Sequence, residues 1–260
     1  MMEFDGRPAE VGDLAPLALT NYGHFTSMLA EDFAVRGLSL HLERLVRDAR
    51  LVFGAEIDPD RVRQLVRHAL KDVAGPIVTR VTVYDPTLEL GHPGADASPG
   101  ILVTTRPAAA TPLPPMRLQS AGYCRDMPEV KHVGLFGSLR YRRAAQLNGY
   151  DDALFTDPNS NVSEAATTNV GFFDGERIIW PKAEVLTGVT LALLAQVHDG
   201  PAVTSPVNLA QLGEMQAAFA TNAVIGVRSI GAIDGTTWSA DHPILDTLRR
   251  EYLDVRPEPL

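Results

Sequence analysis

The chain has 260 residues, enough for one large domain or two modest ones with a substantial hydrophobic core. Its net charge of -9 argues against binding to nucleic acids or to anionic membranes. No apolar run is long enough to span a bilayer, and residues 1–10 lack the apolar core of a signal peptide. Cys124, the single cysteine, fits a reducing compartment. We therefore expect a cytoplasmic protein that binds neither nucleic acid nor membrane.

The first half of the chain predicts an α/β arrangement. Apolar residues recur at helical spacing after Ser39, and Asp58-Pro59 supplies an N-cap and a first-turn proline for a second helix, which Gly75-Pro76 stops. β-branched runs then indicate strands. The predicted elements are helices over 39–54 and from 59 to Gly75-Pro76, strands over 77–84 and 101–105, and a loop over 85–100.

The segment 106–115 is the clearest shift in composition. Its four prolines predict a stiff, extended connector rather than a packed element. We therefore predict a small N-terminal α/β domain over 1–106, a Pro-rich linker over 107–118 and a larger C-terminal α/β domain over 119–260.

The second half alternates between helices and strands again. Asp174-Gly175 is a strong hairpin-turn signal between two apolar β runs. The predicted elements are helices over 139–147, 190–197 and 244–252, strands over 153–156, 169–173 and 177–180, and strand and turn material over 219–230.

Lys131 is the candidate nucleophile, because it lies in the apolar segment 130–136. Burial favours the neutral, nucleophilic form of a lysine amine. The chain has only two other lysines: Lys71, beside Asp72 at the end of a helix, and Lys182, in a predicted turn. The alternative for Lys131 is a surface lysine whose ammonium reaches water.

Glu164 and Arg44 are candidate charged ligands. A carboxylate near the ring nitrogen of a bound cofactor keeps that nitrogen protonated, so that the ring can accept electrons. Glu164 could do this, or it could be an exposed acid at a strand end. Arg44 lies beside the apolar face of the first predicted helix, from which it could reach inward to a phosphate or outward to solvent.

Thr187-Gly188-Val189-Thr190 precedes an apolar helix and is a candidate phosphate site. Backbone N–H groups and the helix dipole favour an anion at such a helix start. Thr221-Asn222 could complete the phosphate cup with a hydroxyl and an amide. The alternative is a plain glycine turn with Thr190 as N-cap, and an ordinary turn at Thr221.

An amine, a carboxylate and a phosphate cradle, in this chain order, are the groups needed to hold and use pyridoxal 5′-phosphate. The order resembles the fold-type IV pyridoxal-phosphate enzymes, also called class IV aminotransferases, from about Tyr22 to Ile233. The segments that carry the resemblance are 151–155 leading to 162–164, Asn169-Val170, 186–190 and the helix containing 41–45.

The resemblance implies a two-domain fold like that of D-amino acid aminotransferase, mixed α/β (α+β), with the cofactor between a small and a larger domain. It also implies a homodimer whose partner helps to close the site, and no metal. The implied cofactor-binding residues are Lys131 as the Schiff-base and proton-shuttling lysine, Glu164 at the pyridine nitrogen, and Arg44, the amides of Val189 and Thr190, Thr221 and Asn222 around the phosphate.

Three departures bear on specificity. Phe136 stands where branched-chain aminotransferases have a tyrosine, and Leu191 follows Thr190 where many members have an arginine. The segment Tyr84–Gly94 replaces an Arg-Gly-containing loop expected near the substrate carboxylate, so the specificity of known subgroups does not carry over.

The leading hypothesis is a pyridoxal-phosphate-dependent aminotransferase that moves an amino group between an amino acid or amine and a 2-oxo acid through a Lys131 Schiff base. One alternative is aminodeoxychorismate lyase, which eliminates pyruvate. Another, of a different class, is a non-catalytic or cofactor-independent family member that acts as a binding module. The sequence leaves the amino donor, the acceptor and the stereochemistry open.

Overall fold

The computed structural model describes residues 1–109 and 112–260, which form two compact units. Unit 1 comprises 1–109, 130–134 and 257–260, and the described residues of unit 2 are 112–129 and 135–256. In chain order the elements are β1 (Met2–Phe4), β2 (Arg7–Pro8), α1 (Val11–Thr20), β3 (His24–Glu31), β4 (Ala34–Val35), α2 (Leu38–Phe53), α3 (Pro59–Ala69), β5 (Ile77–Tyr84), β6 (Gly100–Pro107), β7 (Met116–Gly122), α4 (Phe136–Leu147), β8 (Asp152–Thr156), β9 (Val162–Ala165), β10 (Asn169–Phe173), β11 (Ile178–Pro181), α5 (Val189–Val197), β12 (Ala202–Ser205), a 3-10 helix (Leu209–Glu214), β13 (Ala217–Asn222), β14 (Gly226–Ile233), β15 (Thr236–Thr237), α6 (Pro243–Asp254) and β16 (Glu258–Pro259).

The predicted linker 107–118 overlaps two strands. β6 ends at Pro107 and β7 begins at Met116. Ala110 and Thr111, which also belong to the predicted linker, lie outside the described residues.

Unit 1 is built on a seven-stranded sheet in the order β16-β4-β3-β5-β6-β1-β2, with antiparallel pairs throughout the described strands. The apolar stripes of α2 and α3 pack on this sheet in one core. As predicted, Asp58 caps α3, since its carboxylate accepts a hydrogen bond from the Asp60 N–H. The helix ends at Ala69, earlier than predicted, because the Leu70 N–H is shared between the Val66 and Arg67 carbonyls and the Lys71 N–H donates to the His68 carbonyl in a 3-10-type bond.

The segment 130–134 lies along the start of β3. The Phe25 N–H donates to the Lys131 carbonyl and the Val133 N–H donates to the Gly23 carbonyl, both at 2.9 Å. His24 and His132 form an antiparallel bridge between the two segments. This short segment therefore belongs to the sheet of unit 1, although most of its sequence neighbours belong to unit 2.

Unit 2 contains a nine-stranded sheet in which β12-β11-β10-β13-β14-β7-β8-β9 follow one another and β15 pairs with β14. β7 is parallel to both β14 and β8, and it lies between them. The predicted hairpin is confirmed: β10 and β11 are antiparallel, and the Asp174 carboxylate accepts the N–H groups of Glu176 and Arg177 in the turn. Helices α5 and α6 pack against each other and near β13 and β14.

The residues 1–109 and 112–260 contain six α-helices, α1 to α6. None of their helices combines the length and the apolar character needed to cross a membrane. Within 1–109 and 112–260 there is also no group of three or more His, Cys, Asp or Glu side chains placed to hold a metal ion.

Candidate active site

Arg44 points into unit 1 rather than to solvent. It lies on the buried face of α2, and its Nη2 donates to the Thr26 hydroxyl on β3. The same Nη2 lies 3.3 Å from His41 Nδ1, which in turn lies 2.7 Å from the Thr26 hydroxyl. These three buried side chains form one hydrogen-bonded cluster, which fixes the guanidinium against the sheet.

The charge of Arg44 is poorly compensated within unit 1. Burial lowers its pKa to about 10, with Asp48 acting in the opposite direction and Arg47 in the same one. In the described part of the chain, Arg44 Nε has no hydrogen-bond partner and no carboxylate lies within ion-pair distance of the guanidinium. Burial, and then Arg44, hold the pKa of His41 well below its usual value, so the neighbouring imidazole is neutral. A buried cation of this kind suits a phosphate ligand.

The main chain of Lys131 is hydrogen-bonded to α2. Its backbone N–H donates to Asp48 Oδ2 at 3.1 Å, and Asp48 lies one helical turn after Arg44 on α2. The ammonium Nζ lies 5.1 Å from the centroid of the Phe25 ring. Lys131 is half-buried, whereas Lys71 and Lys182 are exposed. Helix α2 therefore carries the candidate phosphate arginine, Arg44, and also binds the main chain of the candidate amine, Lys131, through Asp48.

Arg80 is a second cation beside Phe25. Its Cζ lies 3.6 Å from the centroid of the ring, and burial lowers its pKa. Arg80 Nε donates to the Thr82 hydroxyl at 3.2 Å, and the described residues place no carboxylate within ion-pair distance of the guanidinium. The Phe25 ring therefore carries the Lys131 ammonium and an arginine that is available to an anion.

Glu164 lies on β9 in unit 2 and is buried, so it is not an exposed acid at a strand end. Its Oε1 accepts from Arg125 Nη1 at 3.1 Å, and each of the two side chains is 8% exposed. An ionised carboxylate is stable at such depth only when it is paired.

Asn169 connects the strand that follows Glu164 to the start of α5. Its side-chain amide donates to the Leu186 carbonyl at 2.7 Å and accepts from the Gly188 N–H at 3.0 Å. Asn169 also lies opposite Thr221 in the β10–β13 pair. One buried amide therefore sets the position of the turn that opens α5.

The start of α5 has the features of an anion site. Gly188 is the N-cap residue and supplies no side-chain cap, and the first N–H groups of a helix have no partner within the helix. Among the described residues, the buried hydroxyls of Thr190 and Thr221 have no hydrogen-bond partner. Because buried hydroxyls are normally satisfied, these two indicate a missing acceptor.

The side-chain amide of Asn222 is hydrogen-bonded to main-chain groups of the protein. Its Oδ1 accepts from the N–H groups of Val224 and Ile225, each at 3.0 Å, and its Nδ2 donates to the Thr167 carbonyl at 3.2 Å. It braces the turn that follows Thr221.

The residues present fit pyridoxal 5′-phosphate. Taken by itself, unit 1 offers a half-buried amine and a buried guanidinium that no described carboxylate pairs. Taken by itself, unit 2 offers a buried carboxylate, a helix start and, within the described residues, the unsatisfied hydroxyls of Thr190 and Thr221. Five residues support the site through hydrogen bonds that the sequence did not predict: Thr26, His41, Asp48, Arg125 and Asn169. His41 and Asn169 lie in segments that carry the family resemblance, whereas no motif in the sequence marks the other three.

Comparison with known proteins agrees with this reading. The Amino-transferase class IV family matches residues 23–233. A probable branched-chain-amino-acid aminotransferase of Rickettsia bellii (strain RML369-C) is 26% identical over 270 residues, covering 93% of each chain.

Solved structures share the fold. The branched-chain amino acid aminotransferase from Thermobaculum terrenum, in its PLP form, has a TM-score of 0.87 at 18% identity and covers 98% of this chain and 92% of its own. A putative 4-amino-4-deoxychorismate lyase from Legionella pneumophila has a TM-score of 0.81 at 22% identity, with 96% of each chain covered. The expected fold class, family and cofactor are confirmed. The chain belongs to the class IV aminotransferases, enzymes of fold type IV that use pyridoxal 5′-phosphate.

Proposed function

We propose that the protein transfers an amino group between an amino acid or amine and a 2-oxo acid, with Lys131 as the Schiff-base lysine. The observation that carries the proposal is the arrangement on α2. Arg44 is a buried cation without a carboxylate partner in the described residues, and Asp48, one turn later, holds the main chain of Lys131. One helix therefore sets both the phosphate ligand and the amine.

Lys131 has two tasks in this scheme. When bound, the cofactor supplies a ring that accepts the electrons left at the substrate α-carbon. Lys131 Nζ would hold the cofactor and, once the substrate amine has displaced it, would take the proton from that carbon as a free amine. The Phe25 ring, 5.1 Å from Nζ, supports the amine on one side.

The remaining site residues hold the cofactor. Glu164 keeps the ring nitrogen protonated. Around the phosphate, Arg44 supplies charge, and the amides of Val189 and Thr190 and the hydroxyls of Thr190 and Thr221 supply hydrogen bonds. Asn222 contributes by bracing the turn after Thr221.

Arg80 is the candidate group for binding the carboxylate of a substrate. It lies on the same ring as the Lys131 ammonium, and the described residues leave it without a carboxylate partner. The similar Rickettsia protein is named for branched-chain amino acids, so leucine, isoleucine and valine are the first donors to test.

We further propose a homodimer in the cytoplasm. Helix α4 exposes Phe136, Leu139 and Leu147, with 78%, 52% and 69% of their surface accessible, and a second copy would cover them. The single, exposed Cys124 suits a reducing compartment. Light scattering of the wild type and of Leu139→Glu tests the dimer.

The absorption spectrum and a substrate panel test the function. The purified protein should show a visible band that borohydride removes, and the band should be absent in Lys131→Ala but present in Lys182→Ala. Transfer from amino donors to pyruvate or 2-oxoglutarate supports the proposal. Pyruvate release from aminodeoxychorismate without net transfer would favour the lyase, and a colourless protein that takes up no added cofactor would contradict both.

A further inference from the structure

Arg125 and Glu164 form an ion pair inside unit 2. Arg125 Nη1 lies 3.1 Å from Glu164 Oε1 and also donates to the Pro128 carbonyl at 3.3 Å. Both side chains are 8% exposed. The arginines of the Arg7–Asp13 and Arg50–Glu56 pairs are 52% and 60% exposed, respectively. The Arg125–Glu164 pair is therefore shielded from solvent, so the attraction between its charges is screened less than in those exposed pairs.

Stability alone is a weak reason for such a pair. Burying two charges costs about as much as their attraction returns, and an apolar pair of similar volume often stabilises a fold equally well. A charged partner is useful where the carboxylate itself must stay ionised, because a neighbouring guanidinium favours the charged form. The carboxylate in question is the one assigned to the cofactor's ring nitrogen.

We propose that Arg125 is a positioning residue for the cofactor's ring nitrogen, acting through Glu164. The inference rests on the proposed role of Glu164. The guanidinium fixes the orientation of the carboxylate and keeps it ionised, so that Glu164 can accept a hydrogen bond from the protonated nitrogen. Through Glu164, Arg125 thereby favours the protonated form of the ring nitrogen, the form in which the ring accepts electrons.

The test compares two probes that differ at one atom. Cofactor-free protein is titrated with pyridoxal 5′-phosphate and with its 1-deaza analogue, in which carbon replaces the ring nitrogen. Arg125→Met should weaken binding of the first about tenfold or more and change binding of the second less than about twofold. Arg125→Lys should restore most of the difference. Arg177→Met, which breaks the exposed Arg177–Asp174 pair, is the matched control and should change neither affinity.

A combined variant tests whether Arg125 acts through Glu164. It also avoids leaving one buried charge of the pair without its partner. Arg125→Met/Glu164→Gln removes both charges together, and it should bind pyridoxal 5′-phosphate no more weakly than Glu164→Gln alone. The pH profile of the cofactor's absorption should shift in Arg125→Met and not in Arg177→Met. Equal losses for both probes, or an additive loss in the combined variant, would overturn the proposal. If Glu164→Gln leaves the affinity for pyridoxal 5′-phosphate unchanged, or lowers the affinities for both probes equally, the assignment of Glu164 fails instead.

Discussion

Asn169 Oδ1 accepts a hydrogen bond from the Gly188 N–H at 3.0 Å, and a Cβ atom added at Gly188 would overlap that same oxygen. Gly188 has φ -71° and ψ 147°, angles that any residue adopts. Glycine is therefore required there by Asn169 and not by the backbone. The amide and the glycine act as one unit that sets the start of α5.

Gly188→Ala should weaken binding of pyridoxal 5′-phosphate about tenfold, because the methyl group displaces the turn that presents the α5 N–H groups. Adding Asn169→Ala makes room, so the double variant should lose less affinity than the sum of the single losses. Titration of cofactor-free protein measures this. Gly213→Ala is the control, because an added Cβ there meets no atom of the described residues within 4 Å beyond its own local chain. Additive losses would contradict the coupling.

Arg44→Met should reduce affinity for pyridoxal 5′-phosphate by tenfold or more and leave affinity for pyridoxal, which lacks the phosphate, within about twofold. The reason is that the buried guanidinium has no carboxylate partner in the described residues. Arg50→Met serves as control on the same helix, since Arg50 pairs with Glu56 in solvent. An equal loss of affinity for pyridoxal 5′-phosphate and for pyridoxal would contradict the assignment of Arg44 as a phosphate ligand.

Thr190→Val and Thr221→Val should separate stability from cofactor binding. Each hydroxyl is buried without a partner in the described chain, so its removal should leave the unfolding free energy of the cofactor-free protein unchanged or raise it by up to about 1 kcal/mol. Affinity for the cofactor should fall. Thr167→Val should instead cost about 1 kcal/mol, because the Thr167 hydroxyl donates to Asp152 at 2.9 Å. Urea unfolding and cofactor titration give the two readouts.

Stability should fall as the pH is lowered from 7 to 4. Burial, with smaller contributions from Arg44 and Arg47, lowers the pKa of His24 to about 4. Between about pH 6.5 and 4 the unfolded chain therefore binds a proton that the folded chain does not, a contribution on the order of 3 kcal/mol. The pKa of His41 is shifted in the same direction, so it adds to the slope.

His24→Leu should flatten this pH dependence without abolishing it. The measurement is the unfolding free energy of cofactor-free protein at a series of pH values. His92→Leu is the control, because the His92 side chain is 81% exposed. An unchanged slope in His24→Leu would show that His24 is protonated equally in the folded and unfolded chains.

Local signals were sufficient to predict α2, the start of α3, and β5. These signals are the apolar stripe of α2, the Asp58-Pro59 start of α3 and the β-branched run of β5, and each lies within or directly beside its own segment. Helix α1 and strand β3 were not predicted. β3 is held by pairing with β5, from His24 opposite Val83 to Ala30 opposite Ile77, and such pairing has no local signature.

The candidate site was predicted in outline for a similar reason. Lys131 and Glu164 were selected by their neighbours in sequence and by the family resemblance. The inward direction of Arg44 depends on Thr26, and the burial of Glu164 depends on Arg125, 39 residues away. Side-chain direction and charge pairing across such distances arise only once the sheets have formed.

The segment 130–134 has a consequence for the order of folding. Unit 1 draws on three separate stretches, 1–109, 130–134 and 257–260. During synthesis the first stretch therefore emerges without the segment that carries Lys131, and without β16, which pairs with β4. The edge of β4 therefore stays without its β16 partner until nearly the whole of unit 2 has been made.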